Sequence, residues 1–445
     1  MAAAAARWYC STGAGTNSPE RTLLTWAPRA GRGKGDGMRS RSIRTGRHAL
    51  GAVAGGLALT LVLAACGSSP SSKPQPSAVS HAPAIAAGPI KVGALFSLTG
   101  AFAQTGLITQ ATYQAIIAHL NAAGGIAGHQ VQLVALNDQG NPAVAVSQAE
   151  RLVADHVAAV VYPGLAITDR QTVPVFMKSH IPVVTLAPSD QWANGKEWPY
   201  YFDAYPLNKP TMATLVAFGK ARGITKLGVL GDSTPFSQSL MADLVPSARQ
   251  AHLPIVATAA YTPTSTDMTV QLQQLRSAGA NGIALLAETG MTHVHQDLLA
   301  MGWHPTILTT ADAFFDGYSS LGALAPNTYA NCGIGVKPGQ ALPPAVSTLM
   351  QTVAAKIHIT IPGNSGIIFI NNTMLILAYA IEHAHSLNGN AIASAIESIH
   401  GVSFTAPQYS YTFTASNHDG WTANAVHMCR LVPLGPQGLP ILATP

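Results

Sequence analysis

Charge is scarce in this 445-residue chain: Asp, Glu, Lys and Arg make up 10% of it, against 48% apolar residues. That balance excludes a disordered chain, which needs low hydrophobicity and high charge. Of the 24 Lys/Arg and 19 Asp/Glu, residues 1–65 hold nine and two, so the remaining 15 against 17 leave the chain at −2 from Cys66 onward, and the formal +5 belongs to the front. A body so balanced lacks the electrostatic footprint of a nucleic-acid binder. Catalytic signatures are missing as well. The body has no GxSxG elbow, no Walker phosphate loop and no CxxC pair. His293 with His295, and His383 with His385, are HxH pairs in helical stretches. Two-residue spacing on a helix turns the rings to different faces, which argues against a shared metal, and nothing calls for a cofactor.

Cysteine is scarce too, with four in all. Cys10 lies in the leader. Cys66 closes a run in which Arg39, Arg41, Arg44, Arg47 and His48 form a basic region, ALGAVAGGLALTLVLAA is uncharged, and LAAC follows at once. This front resembles a bacterial lipoprotein signal, in which the Cys becomes the lipid-bearing amino terminus at the outer face of the cytoplasmic membrane. The uncharged run is short for a spanning helix, and GSSPSSKPQPS behind Cys66 is a polar, Pro/Ser-rich tether. Met38 stands just before the basic cluster, so either Met1 or Met38 serves as the start. Cys332 and Cys429 remain, in an oxidising compartment: either one disulfide joins YANCGIGV to AVHMCRLV or the two are separately buried thiols.

The length exceeds what one hydrophobic core organises and predicts two lobes behind the leader. IKVGALF, a Ser/Thr/Gly loop at Ser97–Gly100, a helical period through Ala111, Ala115, Ile116 and Leu120, a stop at Gly124 and Gly125, and VQLVAL ending at Asn137 and Asp138 spell strand, helix, strand. That is the βαβ unit of a parallel sheet, whose ligands bind outside the carboxyl ends of the strands. The alternation continues through a helix at NPAVAVSQAERLVADH, the strand VAAVVYPG, a helix Thr168–Ser179, IPVVTLA and YYFDAYPL. A second series of the same kind runs from TMATLVAFGKARG to TILTTAD. YANCGIGV reads as a return crossing between lobes. FINNTMLILAYAIEHAHSL and NAIASAIESIH read as helices, and YSYTFTASNHDGWTANAVHMCRLVP as strands around a turn at Asn417–Gly420.

From about Ile90 to Pro445 the chain resembles the periplasmic leucine/isoleucine/valine-binding proteins, the branched-chain amino-acid type of ABC-transporter substrate-binding protein. The likeness rests on LFSLTGAFAQTG, LNAAGGIAGHQVQLVALNDQGNPAVAVSQAERLV, IPVVTLAPS, KLGVLGDSTPFSQSL and TSTDMTVQLQQLRSAGANGIALL, in the family's order. It implies a type I periplasmic binding protein fold, an α/β architecture of two doubly wound lobes joined by a three-stranded hinge and closing over a solute. Residues 1–65 then form the leader and signal and 66–88 the tether. Residues 89–206 with 336–424 form one lobe, and 207–335 with 425–445 the other.

The family's binding positions fall on Ser97 and Thr105 in the first loop. Leu165 and Ala166 stand where relatives place a hydroxyl pair at a helix start, so backbone donors and Thr168 remain there. Ala187 and Ser189 match the next loop; Phe236, Glu288 and Thr289 fall on the second lobe; Asp312 matches the acid that pairs with a ligand ammonium; Phe369 matches a wall residue. The resemblance implies a monomeric, non-enzymatic receptor that hands a small amino-acid-like or polar acid/amide solute to ABC permease subunits. Two rival readings stand beside it: a sensor presenting its closed form to a signalling partner, and an extracytoplasmic hydrolase.

Overall fold

The computed structural model describes residues 85–162, 164–186, 192–311, 327–332, 344–357, 365–405, 410–421, 426–431 and 441–443. Cys66, Ala187, Ser189 and Asp312 lie outside these residues.

The opening module forms β1 (Ile90–Phe96), α1 (Ala103–Ala122) and β2 (Val131–Asn137). Gly125 ends α1 with φ at +76°, and a Cβ there would lie 1.9 Å from the His129 carbonyl oxygen, so no side chain fits. Next come α2 (Pro142–Ala154), β3 (Ala159–Tyr162), α3 (Ala166–Lys178), β4 (Val183–Thr185) and β5 (Tyr201–Asp203). Asn141 starts α2 by accepting from the Ala143 and Val144 N–H groups, with Pro142 in the first turn. The five strands make a parallel sheet in the order β2-β1-β3-β4-β5.

The second series repeats that order. It holds α4 (Asn208–Ala221), β6 (Leu227–Asp232), α5 (Pro235–Gln250), β7 (Ile255–Tyr261), α6 (Thr269–Ser277), β8 (Gly282–Leu286), α7 (Met291–Ala300), β9 (Thr306–Thr309) and β10 (Thr328–Cys332). Its strands run β7-β6-β8-β9-β10. The inner strands β3, β6 and β8 are buried along their whole length, whereas the edges β2 and β7 are only partly covered, as helices on both faces require.

The chain then returns to the first lobe with α8 (Pro344–Ile357), α9 (Ser365–Ala384), α10 (Gly389–Glu397), β11 (His400–Val402) and β12 (Tyr411–Thr412). α8 and α9 pack on α1, and α9 also on β3 and β4. By length and composition α9 passes for a membrane span, but Ile367, Ile368, Phe369, Ile370, Ile376, Leu377 and Ile381 are each at most 1% exposed within the fold. At about 1.5–3 kcal/mol for each buried side chain of this size, it is a main support of the first lobe. The chain ends in the second lobe, where β13 (His427–Arg430) and β14 (Ile441–Leu442) extend the sheet antiparallel beyond β10. Cys332 on β10 and Cys429 on β13 are bonded to each other, with Cα atoms 5.9 Å apart.

The segment YANCGIGV opens in strand β10, whose five residues are all buried between β9 and β13, and the rest of it lies outside the described residues. Two expectations need correcting. The turn expected at Asn417–Gly420 lies earlier, closed between Thr414 and Asn417, because the next residues are held along β5. There the Asp203 N–H donates to the His418 carbonyl at 2.9 Å, and the Gly420 N–H to that of Asp203 at 3.0 Å. Finally, α3 starts two residues before Thr168, from an extended Leu165 that offers no side-chain cap.

Histidine has a structural use here. His156, His180, His252 and His385 follow the ends of α2, α3, α5 and α9 with φ of +47° to +55°, the left-handed position that glycine usually fills. Leu253 N–H then returns to the Ala248 carbonyl at 2.9 Å and Ile181 N–H to that of Phe176 at 3.0 Å, closing the helix ends. His252→Gly removes a Cβ penalty at an exposed site. It should raise the stability measured by urea denaturation by about 0.5–1 kcal/mol, and an unchanged or lower midpoint would contradict this account.

Candidate functional site: two rims held by buried carboxylates

Strand order changes direction once in each lobe, between β1 and β3 and between β6 and β8. At such a point the loops at the carboxyl ends part and leave a crevice. Here a buried aspartate ties the parting loops together in both lobes.

In the first lobe this is Asp138, fully buried just after β2. One carboxylate oxygen accepts from the Ser97 hydroxyl at 2.7 Å and the Gly140 N–H at 2.9 Å; the other accepts from the Thr168 hydroxyl at 2.9 Å. The loop after β1 and the first turn of α3 are thus fixed to one group. Neighbouring glycines allow the approach. A Cβ on Gly164, whose φ is +117°, would sit 2.2 Å from the Thr168 hydroxyl oxygen, and one on Gly106 would sit 2.2 Å from the Ser97 carbonyl oxygen.

In the second lobe the group is Asp232, the last residue of β6. One oxygen accepts from the Thr234 hydroxyl and N–H; the other accepts from the N–H groups of Glu288 at 2.8 Å and Thr289 at 3.1 Å, which follow β8. Thr234 also caps α5, accepting from the Ser237 N–H, and the Tyr261 hydroxyl donates to the Thr289 carbonyl at 2.7 Å. Burying a carboxylate costs several kcal/mol unless it is hydrogen-bonded; each of these has three or four donors.

The expected site residues fall into three groups. Ser97, Thr105, Leu165 and Ala166 belong to the rim around Asp138. Ser97 is fully buried with its hydroxyl given to Asp138, and Thr168 is likewise spent, so both shape the rim. Leu165 is buried and Thr105 half-buried. Phe236, Glu288 and Thr289 belong to the rim around Asp232; Phe236 is half-buried on the first turn of α5, against that lobe's outer core. α3 of the first lobe touches α5 of the second, which brings the two rims toward each other.

Phe369 is a core residue of α9. It is 1% exposed, with the Tyr205 ring 4.7 Å away and the Trp421 ring 5.5 Å away. On the same helix a polar chain joins α9 to β12 and to the residue after β5: the Asn372 amide donates to the Tyr411 hydroxyl at 2.9 Å, and that hydroxyl donates to the Ala204 carbonyl at 3.1 Å. Sequence reading missed Asp138, Asp232 and this chain. One signal was present, since ALND and VLGD put an acid at the end of a strand in each half.

Two titratable groups have environments that set their charge. Asp169, in the first turn of α3, has its carboxyl pushed up to about 7 by burial, against a smaller opposing effect of the Arg170 N–H and charge. A helix start favours an anion by at most about 2 kcal/mol, and desolvation outweighs it. His295 is pushed down to about 4 by burial. Its Nδ1 bonds the Met291 carbonyl at 2.9 Å and its Nε2 the Thr328 hydroxyl at 2.9 Å, which defines a neutral ring with the proton on Nδ1. His293 is half-buried and bonds Gln296 at 3.2 Å, so this HxH pair faces two ways.

Two α/β lobes of one topology, with facing rims at their switch points and a hinge between, define a solute-binding architecture. The family described as "Periplasmic binding protein" matches residues 89–430, and the chain belongs to it. Solved structures agree on the fold, the type I periplasmic binding protein. A periplasmic binding protein type 1 from Bordetella pertussis Tohama I is 20% identical, with 80% of this chain and 100% of that one covered and a TM-score of 0.67. The branched-chain amino acid transporter substrate-binding protein LivJ from Streptococcus pneumoniae, solved with isoleucine, is 18% identical over the same shares, with a TM-score of 0.68. A fatty acid ABC transporter substrate-binding protein from Thermomonospora curvata is 18% identical, over 83% of this chain and 94% of that one, with a TM-score of 0.66. No curated protein matches. The family is one of extracytoplasmic ligand-binding proteins and not of enzymes.

Removing either rim carboxylate strands several donors. Asp138→Ala and Asp232→Ala should each lower stability by about 2–4 kcal/mol in chemical denaturation, whereas the surface change Asp155→Ala should move it by less than about 0.5 kcal/mol. Similar effects for all three would remove the special role of the two carboxylates. Asp169 gives a pH signature. With the folded-state carboxyl near 7 and the unfolded one near 3.8, the unfolded chain ionises first, so stability is full below about 4, falls as pH rises and levels off above about 7. Asp169→Asn should match the parent at pH 4 and exceed it at pH 8 by on the order of 4 kcal/mol. Parallel pH profiles would show the carboxyl to be unperturbed.

Proposed function

We propose that the chain is the solute receptor of an ABC importer, tethered outside the cytoplasmic membrane through lipid on Cys66 and acting as a monomer. Its solute is a small amino-acid-like or polar acid/amide molecule held between the rims. The observation that carries this reading is the repeated carboxylate-pinned rim at the switch point of each lobe, because a rim fixed before binding lowers the ordering cost of capture. Closure supplies selection: a solute that touches both rims favours the shut form by its differential affinity, and the shut form docks on the permease.

The first rim narrows the class of solute. Leu165 and Ala166 lack hydroxyls and Thr168 is committed to Asp138, so the backbone N–H groups at the start of α3 are left to meet an acid or amide group. Leu165 and Phe236 favour an apolar portion. Isoleucine, present in the Streptococcus pneumoniae structure, and a fatty acid, named for the Thermomonospora curvata transporter protein, each pair a carboxylate with a hydrocarbon part. Asp312 is assigned to a ligand ammonium.

A thermal-shift screen against amino acids, amides, short-chain acids and aromatic acids tests the reading. A true ligand at a hundred times its Kd should stabilise the protein by about 2.7 kcal/mol, and turnover of any bound solute would refute a receptor. If the solute is an amine, Asp312→Ala should abolish its binding while leaving the melting of the empty protein nearly unchanged; undiminished amine binding would remove Asp312 from the site.

A further inference from the structure

The end of the second lobe farthest from its rim is basic. Lys220, Arg249 and Arg276 lie in the last turns of α4, α5 and α6, Arg222 caps α4, Lys226 precedes β6, and Arg430 ends β13; all six are exposed. Contacts bind them into one surface. Lys220 Nζ donates to the Ala251 carbonyl and Arg276 Nη1 to that of Met301 at 3.2 Å. The Asn281 side chain accepts from the Lys226 N–H at 2.9 Å and donates to the Gly223 carbonyl at 3.1 Å. Arg222 donates to the Tyr329 hydroxyl, and its guanidinium lies 4.9 Å from that ring's centroid, with the Arg430 guanidinium 5.9 Å from it.

No carboxylate answers this charge. Among the described residues none of the six has an Asp or Glu oxygen within 4 Å. Asp232 and Glu288 sit at the rim, Asp267 stands just before α6, Asp297 is bound to the Met268 N–H at the start of α6, and Asp243 lies midway along α5. Helix carboxyl ends welcome cations, and that could account for some of the six. The first lobe shows what this alone produces. Its corresponding end mixes Lys91, Arg151 and Lys178 with Glu150, Asp155 and Glu382, and pairs Arg151 with Asp155 at 4.0 Å. Only the second lobe segregates its cations.

We infer that this basic end is a docking surface for anionic phospholipid headgroups. Charge complementarity selects the occupant: six exposed cations with no described carboxylate within 4 Å match a negatively charged bilayer, where each adds to the attraction within a Debye length. Reach permits it. Residues 66–88, at roughly 3.3–3.6 Å each when extended, span on the order of 75–80 Å, more than the width of a body of this size, whose radius of gyration is about 20 Å. The empty receptor would rest with its second lobe on the bilayer. The inference draws on the membrane-tethered part of the proposed function and is independent of the solute.

The full chain is tested for co-sedimentation with vesicles of phosphatidylcholine alone and with 30% phosphatidylglycerol, at 50 and 500 mM salt. The expected result is partitioning at least about tenfold stronger on the anionic vesicles at low salt, with that increment lost at high salt. The variant R222Q/K226Q/R249Q/R276Q/R430Q should lose the increment, whereas the first-lobe variant R151Q/K178Q should keep it. Inorganic phosphate at matched ionic strength should not compete; competition would mean a discrete phosphate pocket and overturn the lipid assignment. Equal partitioning of the parent on both vesicle types overturns it as well, whether or not the variants fold, and so does an increment that survives the five substitutions. Because leader and Cys66 are common to parent and variants, failure of the tether reading removes the binding common to both vesicle types, while failure of this inference removes only the anionic increment.

Discussion

A carboxylate taken out of water without a cation beside it stays ionised only if donors surround it, and the donors then have no freedom to move. Asp138 and Asp232 place that constraint at the point in each lobe where a doubly wound sheet would otherwise be loosest. Ser97 and Thr168 in one lobe, and Thr234 with the backbone of Glu288 and Thr289 in the other, are held because leaving them would strand a buried charge. The rims are therefore stiff parts of the fold, although loops form them.

The rest of the architecture can be ordered by its distance from these two groups. Sheets buried on both faces carry the carboxylates. α9 fills the first lobe and packs Phe369 and Asn372 among Tyr205, Tyr411 and Trp421. Among the described residues, the far end of the second lobe carries charge of one sign.

Much of the site was legible and some was not. The loop after β1 and the start of α3 follow from the βαβ pattern, because in an open parallel sheet the crevice lies at the carboxyl ends of the strands. The roles of Ser97 and Thr168 do not. A hydroxyl in a Ser/Thr/Gly loop reads the same whether it faces a solute or a buried carboxylate, and only the arrival of Asp138 from 41 residues away at Ser97 decides between them. The partners of β10 are hidden for the same reason, since β13, which buries one side of it, is distant in the chain. Four histidines terminate helices, a use that depends on backbone dihedrals no residue type announces.

By itself the sequence determined the alternation of strand and helix, the repeat of that alternation, the glycine stop after α1 and the front that resembles a lipoprotein signal, because periodicity, turn chemistry and charge segregation act over a few residues. Tertiary structure alone decided which sheet β10 joins, that Cys332 meets Cys429, that both rims hang from a buried aspartate, and that six cations share one surface with no acid among its described residues. Each of those depends on groups far apart in the chain meeting where water is excluded or charge goes unanswered, and such meetings leave no local trace.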